Sequence, residues 1–390
     1  MKKKFGLTAV AFLSTVVLAA CGAAPSSSSS SASGTEIGDT IKIGLNLELT
    51  GAVSAYGSAE KNGAELAVEE LNKAGGVDGK DLEIISKDNK SDNSESATVT
   101  TNLATESKVN AIVGPATSGA VASASPNAQS AGVPLVTPSG TQDDLTVDSD
   151  GNAYEYIFRT TFIDSYQGQV LAKFASENLS AKKVVLYYDN SSDYAKGIAE
   201  EFKKDYSGEI VTESTFQSGD TDFQSALTKF KDDGYDAIVM PGYYQETGTI
   251  IKQAREMGIT APILGPDGFA DDKLVELAGA SNANDVYYIS GFSATSSDKA
   301  AAFAKAYQDK YGEAPSMFAA LGYDSVNMIA EAAKGADTSK DIASNLAKLT
   351  DFEGVTGTMT IDAKHNPVKS VSMIGLTNGV ESSSAVVEPD

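Results

Sequence analysis

The chain has 390 residues, of which 41% are hydrophobic, and it carries 53 acidic against 30 basic side chains for a formal net charge of −23. This length predicts two or three domains with real cores, and so acidic a surface argues against a nucleic-acid partner, because it would repel phosphates. A single histidine and a single cysteine are too few for the usual zinc clusters, and we expect neither metal nor cofactor.

Residues 1–20 have the features of a signal peptide. Three lysines follow Met1, and the apolar segment after them is too short to span a bilayer comfortably. It ends in Leu-Ala-Ala before Cys21, which resembles the lipobox of bacterial lipoproteins, where the cysteine is lipidated. The alternative is an ordinary secreted chain with an unpaired cysteine. The serine-rich stretch that follows predicts that residues 21–39 are a lipidated anchor and flexible tether.

From residue 40 onwards, short apolar strands alternate with helical patterns. The first series has strands at Thr40–Leu49, Asp81–Lys87, Ala111–Val113 and Val133–Val136, and helices at Ala59–Leu71, Ser94–Glu106 and Ala120–Ala131. Pro126 leaves open a break in the last of these helices. Strands that alternate with helices predict parallel βαβ units with right-handed crossovers.

A second series has the same rhythm. Its strands are predicted at Tyr156–Arg159, Lys183–Tyr188, Glu209–Phe216, Ala237–Met240 and Pro262–Leu264, and its helices at Tyr166–Asn178, Tyr194–Tyr206, Phe223–Asp233 and Thr247–Met257. The remainder predicts a strand at Val286–Ser290, helices at Lys299–Tyr311, Met317–Ala333 and Ile342–Leu349, and final strands at Gly354–Asp362 and Lys369–Leu376.

We therefore expect an α/β fold of two Rossmann-like lobes with mainly parallel sheets, hinged around a ligand cleft. Residues 40–160 plus 291–362 would form the first lobe, and residues 161–290 plus 363–390 the second. The segments near Thr160–Thr161, Ser290–Gly291 and Asp362–Pro367 would absorb the hinge rotation.

The sequence favours a binding protein over an enzyme. His365 is the only histidine, no Gly-x-Ser-x-Gly elbow accompanies it, and we expect it at a surface turn rather than in a catalytic triad. The acidic stretch that begins at Asp148 lacks the spacing of a calcium loop and predicts an ordinary turn.

Two small-residue loops, each after a short apolar strand, form the best candidate site. Loops at the carboxyl ends of parallel strands are where open α/β sheets bind ligands. The first lobe would offer hydroxyls and N–H groups to a carboxylate from Thr117, Ser118, Ser139, Gly140 and Thr141. The second would offer Tyr194, Tyr243 and Asp267, whose carboxylate suits an ammonium. The alternative is that each serine or threonine only caps a helix and each tyrosine only packs.

Several motifs together resemble the leucine/isoleucine/valine-binding proteins, the solute-binding components of branched-chain amino acid ABC importers, which have the type I periplasmic-binding-protein fold. The matching segments span most of the chain after residue 40: Leu49-Thr50-Gly51, Tyr56-Gly57, Asn62-Gly63-Ala64, Gly75-Gly76, Val113-Gly114-Pro115, Val136-Thr137-Pro138, Phe158-Arg159-Thr160-Thr161, Asp164-Ser165, Gln167-Gly168 and Gly265-Pro266-Asp267-Gly268.

The resemblance implies a role for each site residue. Ser118 and Thr141, with the backbone of Ser139, would hold the carboxylate and amino group, and Tyr243 and Asp267 would complete the ammonium site. Four further residues would line the side-chain pocket: Tyr56, Ala116, Thr117 and Tyr194. Two departures stand out, because members of the family often have glutamate in place of Asp267 and some have alanines in place of Ser139 and Gly140.

The same resemblance implies the partners. We expect a branched-chain amino acid as ligand, a membrane permease of an ABC importer, a lipid anchor on the outer face of the bacterial cell membrane, and a monomer. Relatives with this fold bind amides, urea or aromatic acids, so another small polar solute is the alternative. A receptor ectodomain or an enzyme is the alternative from a different class.

Overall fold

The computed structural model describes residues 34–231 and 233–387. The predicted signal peptide and Cys21 lie outside these residues. Nowhere in these two ranges is there a helix with both the length and the apolar character needed to cross a membrane.

The first sheet is parallel and has five strands. The strands are β1 (Thr40–Leu47), β2 (Asp81–Asp88), β3 (Ala111–Val113), β4 (Leu135–Thr137) and β5 (Ile157–Arg159), and their order is β2-β1-β3-β4-β5. The helices between them are α1 (Ser54–Lys73), α2 (Asn93–Thr105) and α3 (Ser118–Ala131). We call this sheet with its helices the first lobe.

The second sheet begins with five more parallel strands: β6 (Lys183–Asp189), β7 (Glu209–Phe216), β8 (Ala237–Val239), β9 (Ile263–Gly265) and β10 (Val286–Ser290). Its helices are α4 (Asp164–Lys173), α5 (Asp193–Asp205), α6 (Gln224–Phe230), α7 (Tyr244–Glu256) and α8 (Asp272–Ala278). This sheet and these helices are the second lobe.

The chain then returns to the first lobe through α9 (Asp298–Tyr311), α10 (Met317–Ala332) and α11 (Ser339–Leu346). A small antiparallel sheet follows, made of β11 (Phe352–Gly354), β12 (Gly357–Ile361) and β13 (Pro367–Val368). Apolar residues of α10 and α11 share a buried core with β1 and α1. Helices α1 and α10 approach so closely that a Cβ on Gly63 would lie 1.9 Å from the carbonyl oxygen of Ala319. Glycine is therefore required at this contact.

Two antiparallel strands complete the second sheet, β14 (Val371–Thr377) and β15 (Val380–Val387), in the order β15-β14-β10-β9-β8-β6-β7. The chain thus passes between the two sheets three times: after β5, after β10 and between β13 and β14. Buried Lys369, in the third passage, donates to the carbonyl oxygen of Thr160 in the first passage at 3.1 Å and to Thr356 Oγ1 at 2.7 Å. Burial lowers the pKa of Lys369 to about 8.

The structure decides or corrects several local expectations. Pro126 lies inside α3 without ending it. The predicted strand Gly354–Asp362 contains β12, which pairs in a tight hairpin with β11, a strand that was not predicted; β15 was not predicted either. His365 does lie in a turn, but it is buried rather than at the surface. Its ring stacks on Phe158 at 4.2 Å, and Nδ1 lies 3.0 Å from the carbonyl oxygen of Ile157.

Candidate ligand-binding site

The structure brings nine of the ten predicted site residues around one cavity between the lobes. The first lobe contributes Tyr56, Ala116, Thr117, Ser118, Ser139 and Thr141, and the second contributes Tyr194, Tyr243 and Asp267. Gly140 lies between two of them in the chain but does not line the cavity. The cavity measures about 10 Å³, room for about one water. An amino acid can therefore enter only when the lobes separate.

The hydroxyl groups of the first lobe lie at the start of α3 and in the loop after β4. Ser118 Oγ accepts from the backbone N–H groups of Thr141 and Gln142, both at 3.2 Å, which leaves its own proton to donate. Among the described residues, the buried Thr141 Oγ1 makes no hydrogen bond of good geometry, although it lies near enough to the Asp164 carboxyl to lower the pKa of that group. Because an unpaired buried hydroxyl is costly, these two groups are suited to meet a carboxylate.

The other two first-lobe hydroxyls point to the protein interior. Thr117 precedes α3 but does not cap it with its side chain. Instead Thr117 Oγ1 donates to Glu48 Oε1 at 2.9 Å, and the same carboxylate accepts from the N–H groups of Ala116 and Thr117 at 3.0 and 3.1 Å. Glu48 was not predicted as part of the site. The sequence signal was a single carboxylate near the end of the predicted strand Thr40–Leu49, directly before the loop that begins at Thr50.

Ser139 contacts a second buried carboxyl group that sequence reasoning missed, that of Glu60. Ser139 Oγ lies 2.5 Å from Glu60 Oε1 and 2.9 Å from the carbonyl oxygen of Ala116. A hydroxyl has one proton, which Ala116 can accept only if Glu60 itself carries a proton and donates it to Ser139. Burial, opposed by the hydrogen bond to Ser139 and supported by the nearby charge of Glu48, raises the pKa of Glu60 well above its ordinary value. The raised pKa favours the protonated form of Glu60, and the hydroxyl of Ser139 is already engaged by Glu60 and Ala116.

Replacement of Glu60 by glutamine tests whether the Glu60 carboxyl is protonated in the folded protein. In the unfolded chain Glu60 ionises near pH ~4.3, whereas the folded carboxyl keeps its proton, so wild-type stability falls as the pH rises above that value. Glutamine cannot ionise, and we expect the free energy of unfolding of Glu60→Gln, relative to wild type, to rise by up to about 1.4 kcal/mol per pH unit. Urea unfolding at pH 5 and pH 8 measures this difference. Glu65→Gln, on the same helix, controls for the loss of a glutamate as such; a pH-independent difference for Glu60→Gln would mean that the pKa of Glu60 is not raised in the folded protein.

The second lobe supplies an acidic side to the cavity. Tyr194 donates its hydroxyl proton to Asp267 Oδ1 at 2.6 Å, and the ring of Tyr194 stacks on that of Tyr243 with centroids 4.9 Å apart. The N–H of Asp267 donates to Gln167 Oε1 at 2.9 Å, which fixes the loop. Burial raises the pKa of Asp267 to about 6, so the carboxylate is ionised at neutral pH and suits an ammonium group.

Asp164 is a further buried acid near the cavity. It belongs to one of the motifs that resemble the family, but it was not predicted as a site residue. Its Oδ1 accepts from Gln167 Nε2 at 3.3 Å, so one glutamine side chain connects Asp164 with Asp267. Burial raises the pKa of Asp164 well above its ordinary value, and the charge of Asp267 adds to the effect. Asp267, whose pKa is raised only to about 6, is therefore the acid that favours a cation on this side of the cavity.

Aromatic rings close the remaining walls. Tyr56, from α1 of the first lobe, stacks on Phe318 of α10 with centroids 4.1 Å apart and meets Tyr243 of the second lobe edge-on at 5.9 Å. Phe318 also lines the cavity, but in the sequence it is one apolar residue among many in a predicted helix. The site thus joins hydroxyls and N–H groups, apolar rings and a carboxylate, an arrangement that can hold a small zwitterion with an apolar side chain.

The chain is similar to known proteins over most of its length. The family model described as periplasmic binding protein matches residues 40–379. The leucine-, isoleucine-, valine-, threonine-, and alanine-binding protein of Pseudomonas aeruginosa is 30% identical over 331 residues, which cover 84% of this chain and 87% of that protein.

Solved structures are similar over the same region. The branched-chain amino acid transporter substrate binding protein LivJ from Streptococcus pneumoniae, solved in complex with isoleucine, has 57% identity and a TM-score of 0.87, covering 90% of this chain and 100% of that one. The leucine binding protein LivK from Thermotoga maritima has 31% identity and a TM-score of 0.83, covering 90% and 99%. The predicted fold class is confirmed. The chain belongs to the periplasmic binding protein family, and its relatives include the leucine/isoleucine/valine-binding proteins that its motifs resemble.

Proposed function

We propose that the chain is the extracytoplasmic solute-binding protein of an ABC importer. It closes its two lobes around leucine, isoleucine or valine and delivers the amino acid to a membrane permease. The observation that carries the proposal is the 57% identity to a branched-chain amino acid transporter substrate binding protein solved with isoleucine, over a chain that places hydroxyl donors and a carboxylate on opposite sides of one cleft.

Each lobe binds one end of the ligand. Ser118, Thr141 and the backbone of Ser139 hold the carboxylate, and Thr141 Oγ1 supplies a donor that makes no hydrogen bond of good geometry among the described residues. Asp267 accepts from the ammonium, and Tyr243 completes that side. Because the two lobes hold opposite ends of one zwitterion, the ligand stabilises the closed arrangement over the open one.

The residues that line the cavity walls set the selectivity. The polar groups cannot, because they bind the carboxylate and the ammonium that every amino acid has. Tyr56, Ala116 and Phe318 are apolar or aromatic, and the methyl group of Thr117 and the ring of Tyr194 join them. Such walls favour a branched aliphatic side chain through burial of apolar surface, about 0.8 kcal/mol per CH₂.

Closure is a hinge motion of the three segments that link the two sheets. The bond from Lys369 to Thr160 ties the first and third of these segments together, so they bend as one unit. The ligand is released unchanged: His365, the only histidine, is packed against Phe158 next to these segments and does not line the cleft.

We also propose that Cys21 is lipidated after removal of residues 1–20 and that the protein is a monomer held on the outer face of the cell membrane. The support is the Leu-Ala-Ala-Cys pattern followed by a serine-rich tether. Labelled palmitate should be incorporated into the wild-type protein and not into Cys21→Ala, and labelling of both or of neither would contradict the anchor.

Isothermal titration calorimetry with a panel of free amino acids tests the ligand. Leucine, isoleucine and valine are expected to bind with a stoichiometry of one, and threonine and alanine are the informative comparisons because a relative is named for them. Urea and acetamide probe the alternative of another polar solute. If none of the three branched-chain amino acids bound, the proposed ligand would be wrong while the family assignment would stand.

A further inference from the structure

We propose that Tyr244 is a closure latch, a second-lobe side chain that does not line the cavity but holds the lobes together and so sets how long the ligand stays bound. The proposal rests on the proposed function, since it concerns the same cleft. It is carried by hydrogen bonds that cross from one lobe to the other.

The first of these bonds involves the start of α1. Helices leave their first N–H groups without partners inside the helix, and Val53, which precedes α1, makes no capping bond with its side chain. The N–H of Ala55 in the first turn donates instead to the hydroxyl oxygen of Tyr244, at 3.3 Å, across the cleft. A first-lobe helix is thus capped by a second-lobe tyrosine.

The start of α7 shows the reverse arrangement. Tyr243 precedes this helix and makes no capping bond with its side chain either. The N–H of Tyr244, the first residue of α7, donates to the hydroxyl oxygen of Tyr56 at 3.2 Å, and that hydroxyl donates to the carbonyl oxygen of Gly268 at 2.6 Å. Each lobe therefore satisfies a helix N-terminus of the other with a tyrosine hydroxyl.

The two side chains also pack on each other. The rings of Tyr56 and Tyr244 meet edge-to-face with centroids 5.0 Å apart, a favourable aromatic geometry, and both residues are buried, Tyr56 2% and Tyr244 4% exposed. Separation of the lobes would expose both helix N-termini and both rings together. The reciprocal pair therefore favours the closed arrangement over the open one.

Tyr244 is the member of the pair that can be tested without disturbing the ligand. Tyr56 lines the cavity, whereas Tyr244 does not. Tyr244→Phe removes the acceptor for Ala55 and the interaction of the same hydroxyl with the Ser54 side chain, and it leaves the ring and the backbone N–H in place. A single hydrogen bond corresponds to about a 2- to 12-fold change in an equilibrium constant. Because loss of a contact made only in the closed state acts mainly on dissociation, we expect the change in koff and not in kon.

Stopped-flow tyrosine fluorescence with isoleucine, together with thermal unfolding of the ligand-free chain, provides the test. Tyr244→Phe is expected to raise koff by about 2- to 12-fold, with kon and the ligand-free Tm unchanged. Tyr206→Phe is the matched control: its buried hydroxyl donates to the carbonyl oxygen of Ala181 within the second lobe, at 3.0 Å. This control should leave koff at the wild-type value.

The outcomes separate the latch from the function on which it rests. Isoleucine binding by the wild type, with the same koff in Tyr244→Phe as in the wild type, would overturn the latch alone. An equal rise in koff for Tyr206→Phe would also overturn it, because the effect would then not depend on the contact between lobes. A wild-type chain that bound no branched-chain amino acid would overturn the proposed function and the latch with it.

Discussion

Asp267→Asn is expected to weaken binding of a branched-chain amino acid by about 1.5–3 kcal/mol, or roughly 10- to 150-fold, the range for a hydrogen bond to a charged group. Asparagine keeps the shape of the side chain and an oxygen that can accept from Tyr194, so the cavity should stay intact. What is lost is the buried negative charge opposite the ligand ammonium. Calorimetric Kd values for leucine with both proteins measure the effect.

The same carboxylate predicts how affinity depends on pH. Burial raises the pKa of Asp267 to about 6, and only the ionised form can pair with an ammonium. Affinity of the wild type should therefore be constant above pH ~7 and fall as the pH drops through 6, by up to about tenfold per pH unit. The asparagine variant should lack this decline.

A half-buried acid outside the cavity provides the control. Burial also raises the pKa of Asp271 to about 6, but this carboxylate caps α8 by accepting from the N–H of Lys273 and does not line the cavity. Asp271→Asn should keep both the affinity and its pH dependence. Unchanged leucine affinity in Asp267→Asn would remove Asp267 from the site.

Arg159→Met is expected to lower the free energy of unfolding by roughly 2–5 kcal/mol and to weaken ligand binding as well. Arg159 is fully buried at the end of β5, where its guanidinium donates to the carbonyl oxygens of Gly140 at 3.0 Å and Gln142 at 2.9 Å. Burial lowers its pKa to about 10, so it remains charged. Methionine would leave these carbonyl groups unpaired and release the loop that carries Thr141.

Arg255 provides a matched control, because it makes the same kind of contacts far from the cavity. Its guanidinium donates to the carbonyl oxygens of Ile259, Ala261 and Asn284 within the second lobe, at 2.8–2.9 Å. Arg255→Met should also lower stability in urea unfolding but leave the leucine Kd unchanged. Equal effects of the two substitutions on Kd would mean that Arg159 acts on the fold as a whole and not on the loop.

Most of the parallel architecture could be predicted because its strands are short apolar segments and its helices carry periodic patterns. The last strand could not. β15 has the sequence Val-Glu-Ser-Ser-Ser-Ala-Val-Val, and Val380 and Val386 are 67% and 66% exposed. It lies at an edge of the sheet, held by pairing with β14, and therefore lacks the burial pattern that identifies an inner strand.

The burial of His365 is a second feature that could not be predicted from the sequence. Its environment depends on contacts over a long sequence distance, with Phe158 and Ile157 of β5. A histidine next to asparagine and proline predicts a turn, which is correct, but no local pattern indicates that the turn folds back onto a strand two hundred residues earlier. Burial set by tertiary packing overrides the local prediction.

The candidate site was predictable where loops follow strands and where the motifs resemble a family. The supporting carboxyl groups were not, because Glu48, Glu60 and Asp164 lie behind the cavity and contact it through other residues. The sequence did contain a signal for Glu60. It lies four residues before Ala64 and therefore on the apolar face of the predicted helix. A charged residue on a buried face indicates a partner in the interior, here Ser139.

A crystal structure of the chain with isoleucine tests the central claim most directly. One isoleucine should lie between the lobes, with its carboxylate within hydrogen-bond distance of Ser118 Oγ and Thr141 Oγ1 and its ammonium against Asp267. Its side chain should lie among Tyr56, Ala116 and Phe318. An isoleucine bound outside this cleft, or held in it with the ammonium turned away from Asp267, would contradict the account.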